Sequence, residues 1–420
     1  MLKDKYHQHK ETVDNFIWRV LQLGSKQGII FIIFILCAKI LVPYDFGIYN
    51  YVLAIIFFLV IFGDFGISTA TSKYVTEYSL IDKEKLKAVL FNSGILILGL
   101  TLLITALTLI IGPSYLKDKY AYVLYLLPLI FLTPMTSLYD GIYRGLKKFK
   151  KLAIISVIAS FISIIFVYFL VKQYGLIGAL IAQNLFYLIL LIGLAIGYKE
   201  FNFKWNKTVM KEVGKYSFVY GIAVVGNYLF MRFGILILGH YNYIDQIAVY
   251  ELLNKIFMAL VLPFSMLGQV IAPNFTILAA KKDYAKIYQK LKKYTLIFLA
   301  AGIILGLLAY FLGPILIRIF FANYYNNLFF EIFIFTVIIF VTNVWSATID
   351  FGITVPTGYA SLMAKFYLIL GVLGVILSFI LLHLFGYIGI IYAFTISSVL
   401  MAIGLRLIYF YKIRKKVSNS

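Results

Sequence analysis

Predominantly apolar stretches of membrane-crossing length recur twelve times along this chain, near 16–41, 47–72, 88–112, 120–143, 152–171, 175–198, 216–239, 246–279, 294–320, 327–349, 362–384 and 387–411. A bilayer hydrocarbon core takes about 20 apolar residues of helix to cross, so this recurrence predicts an all-α polytopic membrane protein. Composition agrees: 63% of the residues are apolar, only 13% are charged, and the mean hydropathy is +0.95. Soluble domains run near 45–50% apolar and about 25% charged, and no soluble core hides so much apolar surface. The runs are continuous rather than alternating, which excludes a β-barrel, whose strands switch face at every residue over about 10 residues.

The net charge of +21 is explained by topology. With both termini placed in the cytoplasm, thirty Lys and Arg fall on the cytoplasmic side. Only Lys39, Lys117, Lys119, Lys172 and Arg318 fall on the other. That asymmetry is how inner-membrane proteins are oriented. It removes the need for a nucleic-acid partner, for which the chain has no soluble basic domain. Cys37 stands alone, so no disulfide or thiol metal site is expected. His7, His9, His240 and His383 show no metal-ligand spacing, and no phosphate-binding Gly-rich loop is present. Neither a metal nor a cofactor is expected. The outer loops are too short to carry the catalytic acids of a membrane glycosyltransferase or polymerase, which argues against an enzyme of that kind.

The chain repeats itself. KQYGLIGAL at 172–180 parallels HLFGYIGII at 383–391, pairing Gly175 with Gly386 and Gly178 with Gly389. Gly47-Ile48-Tyr49 parallels Ala248-Val249-Tyr250. Two halves with an even number of spans are parallel repeats about an axis normal to the membrane. The expected organisation is therefore a six-helix lobe over 1–200, a cytoplasmic amphipathic linker over 201–215, and a second six-helix lobe over 216–420. In the linker, Trp205, Val209, Met210, Val213 and Tyr216 recur at helical spacing opposite Lys207, Lys211, Glu212 and Lys215. This pattern predicts a helix lying on the inner leaflet.

Ionisable residues within spans cost about 2.5–3.5 kcal/mol each on the insertion scale, so they seek a cavity or a partner. The candidates are Lys26 and Asp64 in the first lobe and Arg232, Glu251 and Lys255 in the second. Bland roles are open for each. Lys26 can snorkel to the interface, Asp64 can bond to a broken backbone or to Lys26, and Glu251 can pair with Lys255 one turn on. Arg232 can rest on backbone carbonyls, since its own helix offers it no acid. Pro128, Pro134, Pro263 and Pro273 mark bends. Gly193-xxx-Gly197 and Gly302-xxx-Gly306 mark close packing.

Several motifs are those of a known family. AKILVPYDFGIY at 38–49 resembles the loop after the first span in polysaccharide and lipid-linked oligosaccharide exporters, with Lys39 where Arg is usual. FGDFGISTATSKYV at 62–75 is similar to that family's second-span ending. GIYRGLKKFKKLAI at 141–154 is similar to its fourth inner loop, YGLIGALIA at 174–182 to its sixth-span opening, and 201–217 to its mid-chain linker. The resemblance is to the polysaccharide branch of the multidrug/oligosaccharidyl-lipid/polysaccharide exporter superfamily. It implies alternating access by two six-helix lobes, and export of a polyprenyl phosphate- or diphosphate-linked oligosaccharide to the outer leaflet. On that reading Lys26, Arg232 and Lys255, with Asp64 and Glu251, line a cavity between the lobes, and the three cations hold the phosphate. The expected partners are the lipid-linked substrate, membrane lipids and glycan-assembly enzymes, with the chain acting as a monomer in the cytoplasmic membrane. The alternative is a cation-coupled multidrug antiporter of the same superfamily, which needs uncommitted acids where this chain is basic.

Overall fold

The computed structural model describes residues 2–198 and 204–418. Lys199 and positions 201–203 of the expected linker lie outside the described residues, as do the side chains of Lys3, Lys5, His7, His9 and Lys10. Every regular element among the described residues is helical. They are α1 (Leu2–Ile40), α2 (Pro43–Asp64), α3 (Ile67–Ile81), α4 (Lys83–Leu116), α5 (Tyr120–Leu126), α6 (Pro128–Gly145), α7 (Phe149–Gly197), α8 (Lys207–His240), α9 (Ile244–Ala280), α10 (Tyr284–Phe320), α11 (Asn327–Ile349), α12 (Ala360–Phe385) and α13 (Tyr387–Ser418). A π-helical segment, Asp350–Tyr359, joins α11 to α12.

Nine helical stretches among the described residues are long and apolar enough to cross a membrane. Two of them hold two spans each. The 49 residues of α7 would reach about 74 Å unbroken, and the helix breaks at Gly175. The 59 residues from Asn327 to Phe385 break at Gly358. The nine stretches thus make eleven spans, and α6, which follows α5 across Leu127–Pro128 and lies outside the nine, supplies the twelfth. The protein is an all-α, multi-pass membrane protein.

The chain divides into two compact units, Met1–Val225 and Gly226–Ser420. In the first, α1 lies along α7, while α6 packs against α2, α3, α4 and α7. The second span is interrupted at Phe65 and Gly66, both with positive φ (38° and 82°). Asp64 restarts the helix: its carboxylate accepts the Ser68 N–H at 2.9 Å and the Ser68 hydroxyl at 2.8 Å. This is the side-chain capping that a fresh helix start requires. Small residues let α8 close on the break. A Cβ on Gly221 would stand 2.7 Å from the Phe65 carbonyl, and one on Gly66 would stand 3.1 Å from that of Ser217.

The linker corrects the expectation of a helix lying on the leaflet. From Lys207 it is the start of α8 and runs without interruption into the seventh span. The middle of its apolar face is covered by protein, although Trp205 at its start is 57% exposed: Val209 and Val213 are fully buried in one core with Ile67, Ala70, Tyr78, Val89 and Ile142. Lys207, Lys211 and Lys215 are exposed, while other polar residues of the segment contact protein. Tyr78 donates to Glu212, Lys204 meets Glu84 at 2.5 Å, and Asn206 caps α8 through the N–H groups of Thr208 and Val209. Helical periodicity shows that a face is apolar, but not whether lipid or protein covers it.

In the second unit α12 pairs with α13, α11 with α9 and α10, and the π segment lies on α9. Phe275, Ile287, Leu291, Ile349, Ile353, Tyr409 and Ile413 form its main core. The close-packing glycines act as such: Gly302 and Gly306 sit against Val341, and Gly193 and Gly197 of the first unit against Ile155. The repeated motif builds the same turn in each unit. Gly175 (φ 54°, ψ −129°) and Gly386 (φ 64°, ψ −150°) both hold a conformation that a side chain disfavours. Three residues later, a Cβ on Gly178 would lie 1.9 Å from the Leu170 carbonyl, and one on Gly389 2.1 Å from that of Leu381.

Candidate functional site

Among the described residues, the charges considered below fall in three clusters and one cap. The cap is Asp64, whose partner is Ser68 and the restarted backbone rather than Lys26. Lys26 is half-buried instead, with its ammonium 5.9 Å from the centre of the Tyr187 ring.

The first cluster gathers at one end of the N-terminal unit. Arg19, Gln22 and Lys26 stand at i, i+3 and i+7, on one face of α1. Asp140 and Arg144 stand one turn apart near the end of α6. Arg144 Nε lies 2.6 Å from one Asp140 carboxylate oxygen. The other oxygen is 3.4 Å from Arg19 Nη1 and accepts from Gln22 Nε2 at 3.1 Å. Arg19 also donates to Gln22. Lys26 is within electrostatic reach of Asp140 and both arginines. Two arginines thus share one carboxylate, and the Arg19, Asp140 and Arg144 side chains keep 25%, 19% and 29% of their surface exposed.

The second cluster belongs to the C-terminal unit. Arg232 of α8 donates from Nη1 to Glu251 Oε1 of α9 at 2.7 Å. Glu251 is buried to 2% exposure, whereas Arg232 keeps 25%. The acid that Arg232 lacks in its own helix comes from the neighbouring one, and Glu251 pairs with Arg232 rather than with Lys255. Lys255, half-buried one turn along α9, is within electrostatic reach of both. This cluster holds two cations and one anion.

The third pair is sealed. Arg406 of α13 donates from Nη1 to Asp350 Oδ1 at 2.5 Å and from Nη2 to the Ser346 carbonyl at 3.2 Å. The two side chains are 3% and 8% exposed. Asp350 opens the π segment, and one turn beyond Arg406 the Tyr409 hydroxyl meets Thr357 at 2.6 Å. Long π turns gather at functional sites, and this one is tied to α13 at both ends.

The candidates read within spans, Lys26, Asp64, Arg232, Glu251 and Lys255, leave out Asp140 and Asp350, and Arg19, Arg144 and Arg406 are among the thirty basic residues placed on the cytoplasmic side. The signal was present. Asp140 falls inside the fourth predicted span with Arg144 four residues on, and Asp350 directly follows the tenth. An acid in or beside an apolar run calls for a partner as strongly as a base does. Among the described residues, no three His, Cys, Asp or Glu come together as a metal site would require.

Several solved structures share this fold. A multidrug resistance MATE-family transporter of the MOP superfamily in its inward-facing conformation matches with a TM-score of 0.73 and 15% identity, over 96% of this chain and 99% of that one. The lipid II flippase MurJ in an inward closed conformation matches with a TM-score of 0.72 and 17% identity, over 95% and 90%. A MOP-superfamily transporter from Pyrococcus furiosus, described by the reverse polarity of its binding pocket, matches with a TM-score of 0.61 and 15% identity, over 97% and 96%. At these identities the likeness establishes the fold. No curated protein sequence matches the chain. A family profile described as "Polysaccharide biosynthesis protein" matches residues 12–279. Those three solved structures are of transporters and a flippase. With that profile covering well over half of its length, the chain belongs to the polysaccharide biosynthesis protein family.

Proposed function

We propose that this protein is a secondary transporter that carries a polyprenyl phosphate- or diphosphate-linked oligosaccharide from the cytoplasmic to the outer leaflet of the cell membrane, with both termini cytoplasmic. The observation that carries the reading is the family match to residues 12–279 in a chain made of membrane spans. A multi-pass protein of polysaccharide biosynthesis needs work that only a bilayer creates. The sugar headgroup and its phosphate are too polar to cross hydrocarbon unaided.

The charges support this reading. Each half-exposed cluster has more cations than anions, as a phosphate-binding surface requires. We take Lys26 in the first unit, and Arg232 and Lys255 in the second, as phosphate contacts, each in its own unit. Glu251 then holds Arg232 in place, and Asp64 serves the helix break. The antiporter alternative is disfavoured because its acids are already engaged. Glu251, Asp350 and Asp140 all contact arginine, and Asp64 is occupied by Ser68.

The test is glycan export in cells whose own exporter is replaced by variants of this chain, with membrane levels measured alongside. Arg232→Lys keeps the charge beside Glu251 but loses the planar fork that grips phosphate. Export is expected to fall about tenfold at unchanged protein level, the worth of one charge-assisted hydrogen bond. Full export by Arg232→Lys and Lys255→Gln would remove both residues from the site.

A further inference from the structure

The Arg19–Asp140–Arg144 cluster has a charge inventory that its own contacts leave unbalanced. One carboxylate serves two guanidinium groups, and Lys26 adds a third positive charge within electrostatic reach. Among the described residues, two positive charges remain uncompensated at a site where both arginines keep a quarter or more of their surface exposed. The geometry is also uneven. Asp140 and Arg144 belong to α6 and stay together however α6 moves. Arg19 and Gln22 belong to α1, and they reach the same carboxylate from a helix whose main packing is along α7. Asp140 therefore joins α1 to α6 through its Oδ1 atom, the one approached by Arg19 and Gln22.

We propose that Arg19 and Arg144 form an anion site in which Asp140 is a resident stand-in for phosphate, and that the phosphate of an arriving lipid-linked substrate displaces Asp140 and unties α1 from α6. This rests on the reading of the chain as a carrier of lipid-linked phosphates. A guanidinium presents a fork that suits carboxylate and phosphate alike, so the two compete for the same donors. A diphosphate esterified to lipid at one end and to sugar at the other carries about two negative charges, one on each phosphorus, and about four unbridged oxygens, against the carboxylate's one charge and two oxygens. It can engage Arg19, Arg144 and Lys26 together where Asp140 engages only two of them closely. The two anions cannot share the forks, because like charges at contact repel. Entry of one expels the other, and the α1–α6 tie goes with it. Asp140 is thus a positioning residue: it holds both arginines aimed at the site and keeps the lobe tied until substrate arrives.

The experiment uses the full-length protein in nanodiscs of uncharged lipid. Binding of inorganic diphosphate and of farnesyl diphosphate is measured by calorimetry. The distance between spin labels at positions 21 and 147, on α1 and just beyond α6, is read by pulsed electron resonance. Asp140→Asn removes the competing charge but keeps the side-chain shape. Both ligands are expected to bind about tenfold tighter, the worth of one charge-assisted contact. The label distance in the free variant is expected to match that of the ligand-bound wild type. Arg19→Gln should weaken both ligands. If Asp140 is only a structural counter-ion, Asp140→Asn binds no tighter, or more weakly, and the proposal falls. It falls equally if diphosphate leaves the wild-type label distance unchanged, or if neither ligand binds. Tighter diphosphate binding by Asp140→Asn in a protein that flips no lipid-linked sugar would uphold the site and overturn the transport reading.

Discussion

Arg406→Ala is expected to be among the most destabilising single replacements in the C-terminal unit, costing about 3–5 kcal/mol, as removal of one partner from a buried ion pair does. The reason is the partner left behind. Asp350 is 8% exposed and has the guanidinium 2.5 Å away. Without it the carboxylate is left buried and without its arginine at the start of the π segment. The Ser346 carbonyl loses its donor as well. Thermal unfolding in detergent, followed by tryptophan fluorescence, reads the loss. The double variant Asp350→Leu with Arg406→Met should recover most of it, because exchanging a buried pair for apolar residues of similar size is close to neutral. An Arg406→Ala protein as stable as the wild type would mean that the pair does not fasten α13 to the π segment. A double variant as damaged as the single one would locate the loss in packing rather than charge.

Gly389→Ala and Gly178→Ala are expected to be equally severe, and for the same reason in both units. The added methyl carbon would lie 2.1 Å from the Leu381 carbonyl in one and 1.9 Å from the Leu170 carbonyl in the other. Both obstacles are backbone, so no rotamer change relieves them, and overpacking of this kind costs about 1–3 kcal/mol or more. The helices on either side of the turn would have to separate. Gly99→Ala is the control: nothing lies within 4 Å of its added carbon, and alanine in a helix interior is worth about 1 kcal/mol over glycine. The measurement is the yield of monodisperse protein after detergent extraction. Loss in both turn variants with normal yield from Gly99→Ala is the expected pattern. Normal yield from Gly178→Ala would show that the turn opens readily.

The turns were legible because glycine is irreplaceable where φ is positive and backbones touch. A pair of glycines three residues apart, recurring at the same spacing in each half, therefore survives in the sequence as a visible mark. Twelve spans were legible for an equally direct reason, since hydrocarbon thickness sets their length. Pairing between helices was not. Arg232 and Glu251 are 19 residues apart, Asp350 and Arg406 56, and Arg19 and Asp140 121. No periodicity connects positions on different helices. Counting arginines near predicted span ends as loop charges hid three that reach carboxylates, because the positive-inside tendency describes where charges gather, not what each one touches. The same limit applied to α8. The alternation of Val209 and Val213 with lysines announces one apolar face, and only packing reveals that α3, α4 and α6 cover it.

Transfer itself is the most direct test. The purified protein is placed in liposomes carrying a fluorescent polyprenyl diphosphate oligosaccharide in both leaflets, and a membrane-impermeant glycosidase or quencher is added outside. The transport account predicts that inner-leaflet label becomes accessible faster than in protein-free liposomes, and that Arg232→Lys slows this at equal protein content. It also predicts no exchange of a cationic drug for sodium or protons in the same vesicles. Inner-leaflet label that stays protected for as long as in protein-free liposomes, together with ion-driven uptake of a cationic drug, would contradict it.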